Sequence, residues 1–168
     1  MIVKEQLKYF FKTGLLKNIS YGLTRNELTN ILGNTDWKHF SSNRDFFPVI
    51  YKYGRLEFYF ENKTKAAKLN GVMFQPIPSS AINGNLNCNY HRLTKNTDIK
   101  KAIQFLKINN IKFEEKPNEW DNESRLLLTE GNVSIFFDCQ KTAGHYLLHK
   151  AGKFIIENEP LNPTLLHW

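Results

Sequence analysis

The sequence predicts an α+β fold in which helices pack on one face of a curved antiparallel sheet. Three observations favour this fold: apolar residues recur at helical spacing in three segments, apolar and polar residues alternate in several others, and one alternating block occurs twice. The chain has 168 residues, and a globular chain of this length buries about 70% of its unfolded surface. We therefore expect a single domain over 1–168, with possible pseudo-repeat halves at 1–78 and 90–156.

The first helix is predicted from an apolar stripe near the start of the chain. Its members fall at i, i+4, i+7 and i+8, and they are Val3, Leu7, Phe10 and Phe11. Gly14 is suited to the left-handed conformation that commonly ends a helix. A short amphipathic helix is therefore expected before Gly14.

The second helix carries a start signal. Thr24 can accept a hydrogen bond from a first-turn amide, and Glu27 three positions later completes a capping box. Leu23 and Leu28 form the matching hydrophobic staple. This pattern predicts a helix that begins after Thr24 and ends at Gly33.

Strands are predicted after a polar loop that contains Trp37. Segment 49–53 leads through Gly54 into segment 56–61, where Leu56, Phe58 and Phe60 point inward and their neighbours Glu57, Tyr59 and Glu61 point outward. Segment 69–74 is a further strand, and the polar stretch 79–89 is the best candidate linker.

The second half repeats this order of elements. Thr97 precedes a helix with an apolar stripe of Ile99, Ala102, Ile103 and Leu106. A short strand at 111–113, an acidic loop at 114–123 and strands at 125–128, 131–138 and 146–148 follow. Segments 54–61 and 131–138 match in residue class at all eight positions, which indicates a duplicated helix-plus-strands unit.

The charge is unevenly distributed along the chain. The formal net charge is +7, but residues 1–110 hold 17 Lys/Arg against 7 Asp/Glu, whereas residues 111–168 hold 6 against 9. The whole-chain value favours a polyanion such as nucleic acid as a partner. The difference in net charge between the two parts of the chain instead predicts one basic and one acidic surface.

Motifs of common enzymes are absent from the sequence: there is no P-loop, Rossmann glycine fingerprint, G-x-S-x-G or H-E-x-x-H. His145 and His149 are four residues apart, which would place them about 13 Å apart on a strand, too far to share a zinc ion. Cys88 with His91 lacks a second ligand pair, and Cys139 lacks an activating base. We therefore expect no catalytic residue, no metal and no cofactor.

Cysteine usage and hydropathy bear on the compartment. Two cysteines are too few for a disulfide scaffold, lysines interrupt the apolar run that a signal peptide needs, and no stretch is long enough to span a membrane. A cytoplasmic protein without a membrane partner is therefore expected.

The acidic segment 114–123 has two interpretations. It is either a solvated loop or a contact surface for a basic partner, in which Trp120 is the anchor. In the second interpretation the partner-binding residues are Glu115, Glu119, Trp120, Asp121 and Glu123.

Two clusters of lysines are the basic counterpart of this acidic segment. One contains Lys63, Lys65 and Lys68, and the other contains Lys95, Lys100 and Lys101. Turn lysines commonly solubilise a protein and protect sheet edges. They would bind nucleic acid if they lay beside stacking aromatics such as Tyr51, Tyr53 or Tyr59.

Two segments carry a family resemblance. Segment 21–33 (YGLTRNELTNILG) followed by segment 51–60 (YKYGRLEFYF) resembles small bacterial immunity proteins of contact-dependent growth inhibition and other polymorphic toxin systems. The helix phrase alone is also similar to the duplicated helical units of outer-membrane assembly lipoproteins and β-lactamase-inhibitor-like domains, but the chain lacks the lipoprotein signal and cysteine. The immunity resemblance implies a cytosolic protein that binds and neutralises a toxin.

The leading hypothesis is therefore a non-enzymatic immunity protein that occludes a toxin's active site or its access to substrate. If the toxin is a basic nuclease, the acidic segment is the expected interface. The alternative is a nucleic-acid-binding module that uses the basic clusters. A hydrolase that uses His91, His145 or His149 is the third hypothesis.

Overall fold

The computed structural model describes residues 3–42, 44–75, 97–117, 124–140 and 145–154. They form a mixed α+β fold with three helices and eight strands. The elements in chain order are α1 Val3–Thr13, α2 Arg25–Leu32, β1 Trp37–His39, β2 Ile50–Tyr53, β3 Leu56–Phe60, β4 Leu69–Phe74, α3 Ile99–Ile108, β5 Phe113–Pro117, β6 Arg125–Thr129, β7 Ser134–Gln140 and β8 His145–Phe154.

All eight strands belong to one antiparallel sheet with the order β1-β2-β3-β4-β8-β7-β6-β5. The first four strands form one half and the last four form the other. The halves meet where β4 pairs with β8, with Val72 opposite Lys153 and Phe74 opposite Ala151. β1 and β5 are therefore the outer strands of the described sheet.

Apolar side chains of the sheet and of the helices build the hydrophobic core. Leu56, Phe58 and Phe60 on β3 are buried, as predicted, and alternate with half-buried Glu57 and Tyr59. In the second half Val133, Ile135 and Phe137 are among the buried side chains. Residues of all three helices join the same core cluster: Leu7, Phe10 and Phe11 from α1, Leu28 and Leu32 from α2, and Ala102, Phe105 and Leu106 from α3.

The helix boundaries confirm the capping predictions. The Thr24 hydroxyl accepts from the Glu27 amide, and the Glu27 carboxylate accepts from the Thr24 amide at 2.7 Å, which completes the capping box. Gly14 has φ +72°, and its amide donates to the Phe10 carbonyl at the end of α1. The N-cap of α3 is Asp98, whose carboxylate accepts from the Lys101 amide at 2.8 Å.

Two predictions about the outer strands are wrong. Trp37 lies in β1 rather than in a polar loop, and residues 114–117 lie in β5 rather than in an acidic loop. β5 starts at Phe113 instead of ending there. An outer strand has one pairing partner and solvent around it, so charged residues occupy it without the alternation that reveals an inner strand.

β8 is longer than predicted, because it runs over His145–Phe154 rather than over 146–148 alone. Its pairing with β7 shifts register between Phe136 and Phe137. The predicted linker at 79–89 lies outside the described residues. None of the described helices is long and apolar enough to cross a membrane.

Candidate functional site

The first residues of the predicted acidic segment, 114–117, lie in β5, an outer strand of the described sheet. Glu114 and Glu115 are exposed, and they stand opposite Leu128 and Leu127 of β6. The Lys116 ammonium lies 3.3 Å from a Glu114 carboxylate oxygen, so it offsets part of the charge. Of the predicted partner-binding residues only Glu115 is among the described residues, and Glu119, Trp120, Asp121 and Glu123 lie outside them.

Exposed aromatic side chains lie at the other end of the sheet, in β1 and the loop after it. Trp37 is 49% exposed, Phe40 is 41% exposed and Phe46 is 91% exposed. The indole of Trp37 stacks on the imidazole of His39, with ring centroids 5.5 Å apart. A large apolar side chain that is almost fully exposed is unfavourable in water, so such residues commonly mark contact sites.

Asp45 holds this loop in shape. Its carboxylate accepts a 2.7 Å hydrogen bond from the Ser41 hydroxyl and lies 3.2 Å from the Lys63 ammonium. The Asp45 amide donates to the Ser42 carbonyl. The Ser41 hydrogen bond is the main cause that lowers the pKa of Asp45, and Lys63 lowers it further while desolvation opposes both. The carboxylate thus joins the β1–β2 loop to the β3–β4 turn.

Arg25 of α2 makes a second connection between the same two segments. Its side chain is only 4% exposed, and its guanidinium donates to the carbonyls of Pro48, Asn62 and Thr64 at 2.6–2.7 Å. The guanidinium carbon also lies 4.6 Å from the ring centroid of Phe60. A buried cation with three carbonyl acceptors fixes both segments relative to α2.

We call five exposed residues of these two segments the loop surface: Phe40, Arg44, Phe46, Lys63 and Lys65. Glu61 and Lys68 of the β3–β4 turn are also exposed. Arg44 and Phe46 flank Asp45 in sequence, and Lys63 reaches Asp45 across the gap between the segments. The surface therefore combines cations and phenyl rings on a preformed backbone.

The aromatics named beside the lysine clusters lie elsewhere. Tyr51 and Tyr53 are 8% and 1% exposed, and they pack edge-to-face on Phe60 and Phe58 in the core. The prediction that these two tyrosines could stack on nucleic-acid bases is therefore wrong. Strand alternation explains the result, since both residues share the core face with Phe58.

Polar side chains from both halves meet on the face of the sheet opposite the core. The Glu57 carboxylate accepts from the Tyr59 hydroxyl at 2.7 Å and from the Gln75 amide at 3.3 Å, and the Lys52 ammonium lies 3.3 Å away. Burial is the main cause that raises the pKa of Tyr59, and Glu57 adds to it. This cluster is internally satisfied and holds four side chains in place.

Lys150 of β8 lies on the same face and is largely buried. Burial lowers the pKa of its ammonium, and the carboxylates of Asp138 and Glu57 oppose that shift. Sequence reasoning missed this group because Glu57 and Lys150 belong to different halves. The signal that could have found it was Lys150 next to the small apolar Ala151, in an inner strand of the sheet.

The histidine predictions have a mixed outcome. The prediction that His145 and His149 lie on a strand is confirmed, since both are in β8. His149 Nδ1 lies 2.8 Å from an Asp138 carboxylate oxygen. Within the described ranges there is no group of three His, Cys, Asp or Glu side chains that could hold a metal ion. Cys88 and His91 lie outside those ranges.

No protein-family model matches the chain, and no curated protein matches it.

Proposed function

We propose that this chain is a non-enzymatic, cytoplasmic immunity protein that binds a cognate bacterial toxin and blocks its active site or its access to substrate. The supporting observation is the position of Glu114 and Glu115, which begin the acidic segment. β5 is an outer strand that carries exposed Glu114 and Glu115 and leads directly into the segment with Glu119, Trp120, Asp121 and Glu123. Two carboxylates thus occupy an outer strand, and the sequence carries four more residues of the predicted interface directly after it.

A basic toxin, such as a nuclease, is the partner that fits this edge. A nuclease binds phosphates with Lys and Arg, and a carboxylate-bearing surface attracts the same side chains and accelerates association. Glu114 and Glu115 stand on a strand whose backbone is fixed by its pairing with β6, so little conformational entropy is lost when they bind. Trp120 would supply the apolar anchor that charged pairs alone do not provide.

Gene duplication is the proposed origin of this framework. Two observations support it: each half contributes four consecutive strands, and the sheet order is symmetric about the β4–β8 pair. The matching blocks 54–61 and 131–138 further support it, because each covers a turn and all or most of the third strand of its half. The shared core cluster further supports helices against one face of the sheet.

The toxin domain encoded by the neighbouring gene tests this proposal. We expect the two proteins to co-purify when co-expressed, and the chain to restore growth of cells that produce the toxin. Absence of both a complex and growth rescue would refute the proposal.

Charge reversal then tests the interface. Glu114→Lys with Glu115→Lys should weaken the complex by about tenfold or more, because each carboxylate becomes a repelling cation. Lys100→Glu with Lys101→Glu is the matched control, since these exposed residues lie in α3 of the same half. If the control weakened binding as much as the β5 variant, the interface would lie elsewhere.

A further inference from the structure

We propose that the loop surface binds single-stranded nucleic acid, with phosphates on Arg44, Lys63 and Lys65 and an unpaired base stacked on Phe46. This function is separate from toxin neutralisation and uses the other half of the sheet, at the β1–β2 loop and the β3–β4 turn. Three features of the described residues support it: the charges of the two segments, the exposure of their phenyl rings and the rigidity of their backbone.

The cations are supplied by two segments that touch. Arg44 lies in the β1–β2 loop, Lys63 and Lys65 lie in the β3–β4 turn, and the Asp45–Lys63 ion pair of 3.2 Å joins the segments. Lys63 remains half exposed beside Asp45, so its ammonium can also reach a phosphate. These cations belong to the part of the sequence, residues 1–110, that holds 17 Lys/Arg against 7 Asp/Glu. A polyanion is the complementary ligand.

The exposed phenyl rings favour a ligand that carries aromatic bases as well as phosphates. Phe46 follows Asp45 in sequence and leaves 91% of its surface in water. Phe40, at the other end of the same loop, is 41% exposed. Stacking of a base on an aromatic side chain contributes about 1–3 kcal/mol and tolerates any base sequence.

The loop is formed before the ligand arrives. Ser41 and Lys63 hold the Asp45 carboxylate, and Arg25 holds the Pro48 carbonyl from the other side of Phe46. Phe46 therefore projects from a segment that is anchored on both sides. Binding a base does not require the loop to become ordered first, which preserves the stacking energy.

The composition favours nucleic acid over an acidic protein. Lysine is depleted in protein–protein interfaces relative to the rest of the surface, whereas two of the three cations here are Lys63 and Lys65. A single strand is favoured over a duplex, because only an unpaired base offers its face to a projecting ring.

Fluorescence anisotropy of the full chain with labelled dT20 and rU20 tests the proposal, and the two probes distinguish DNA from RNA. We expect at least one to bind in low salt. With three phosphate contacts, the logarithm of the binding constant should fall with the logarithm of salt concentration with a slope of about −2. The corresponding duplex should bind more weakly. No binding of either probe at low salt, or equally tight binding of the duplex, would overturn the proposal.

Two variants separate stacking from charge. Phe46→Ala should weaken binding by about tenfold and leave the salt slope unchanged, because it removes a base contact and no cation. Arg44→Glu with Lys65→Glu should weaken binding and make the salt slope shallower. Both changes affect exposed side chains, and a matching urea midpoint confirms that each variant is folded.

Matched controls come from α3. Ile108→Ala removes an apolar side chain that is 65% exposed, and Lys100→Glu with Lys101→Glu reverses two exposed lysines. Wild-type binding by both controls, together with the losses at the loop surface, supports the assignment. Unchanged binding by Phe46→Ala, or an equal loss in the α3 controls, would overturn it.

Discussion

The outer strands β1 and β5 occupy equivalent places at the two ends of one sheet, but their surroundings differ. Next to β1, the loop surface combines Arg44 and two lysines with exposed phenyl rings. β5 instead exposes Glu114 and Glu115 and carries the chain into further acids. The uneven charge of the sequence thus becomes a difference between two edges of the structure.

The inner strands differ much less. Leu56, Phe58 and Phe60 of β3 are buried, and Val133, Ile135 and Phe137 in and just before β7 are buried as well. Packing constrains these positions to apolar side chains, whereas an outer edge needs only to keep other chains from pairing with it. We therefore expect partners to bind at the outer strands and the loops next to them rather than at the inner strands.

The largest expected effect concerns the arginines of the two halves. Arg25→Ala should lower the free energy of unfolding by about 3 kcal/mol or more, because three carbonyls lose their charged donor and the loop surface loses its anchor. The comparison variant is Arg125→Ala in β6, whose half-buried guanidinium packs 5.1 Å from the Tyr146 ring centroid. We expect a loss of about 1 kcal/mol there.

Urea denaturation of both arginine variants checks this prediction. Equal losses would mean that Arg25 does not have the anchoring role assigned to it. A loss at Arg25 that exceeds the loss at Arg125 would confirm that the basic end depends on a dedicated internal support.

The next-largest loss of stability is expected at a close contact between the two halves. A Cβ atom on Gly14, at the end of α1, would collide with the Gly131 carbonyl in the β6–β7 turn, and Gly14 also has φ +72°. Gly22 has φ +87°, but a Cβ atom added there would meet no other atom within 4 Å. Gly14→Ala should therefore cost about 2–4 kcal/mol and Gly22→Ala about 1 kcal/mol.

Thermal or urea unfolding of the two glycine variants separates backbone strain from the clash. The difference between them measures how tightly α1 of the first half packs on the second half. A Gly14→Ala variant no less stable than Gly22→Ala would contradict that contact.

We expect the stabilising contribution of Asp45, which joins the β1–β2 loop to the β3–β4 turn, to be lost at low pH. The pKa of Asp45 is lowered in the folded protein, chiefly by the Ser41 hydroxyl, so its stabilising contribution is present above the unfolded pKa and is lost as pH falls through the folded value. We expect Asp45→Asn to be less stable than the wild type at pH 7, and the gap to narrow below about pH 4. Urea midpoints across this range check it, and a gap that widened in acid would contradict the predicted sign.

The helix caps of the two halves give the smallest effect. Thr24→Ala removes the capping box of α2, and Asp98→Ala removes the N-cap carboxylate of α3. Each should lower the free energy of unfolding by about 1 kcal/mol. A change at only one of the two sites would show that the caps do not contribute equally to the two halves.

Sequence patterns were sufficient wherever one local rule determines the structure. The Thr24–Glu27 capping box, the end of α1 at Gly14 and the alternation of Leu56, Phe58 and Phe60 were all predicted and are confirmed. Each depends on residues a few positions apart. The mixed α+β class follows from the same patterns.

The candidate surfaces were harder to predict, because they depend on contacts between distant segments. Nothing local in the sequence reveals that Arg25 reaches Asn62 and Thr64, or that Lys63 reaches Asp45. Without those contacts the exposed Phe46 could not be assigned to an anchored loop. The order of strands, which sets which edges are outermost, is likewise a property of the whole chain.

The most direct test of the toxin-binding proposal compares both edges in one assay. The affinity of the toxin domain from the neighbouring gene is measured for the wild type, for Glu114→Lys with Glu115→Lys, and for Arg44→Glu with Lys65→Glu. We predict a loss of about tenfold or more for the β5 variant, which corresponds to about 1.4 kcal/mol, and wild-type affinity for the loop-surface variant. Wild-type affinity for the β5 variant together with a loss for the loop-surface variant would contradict the proposal that the acidic edge binds the toxin.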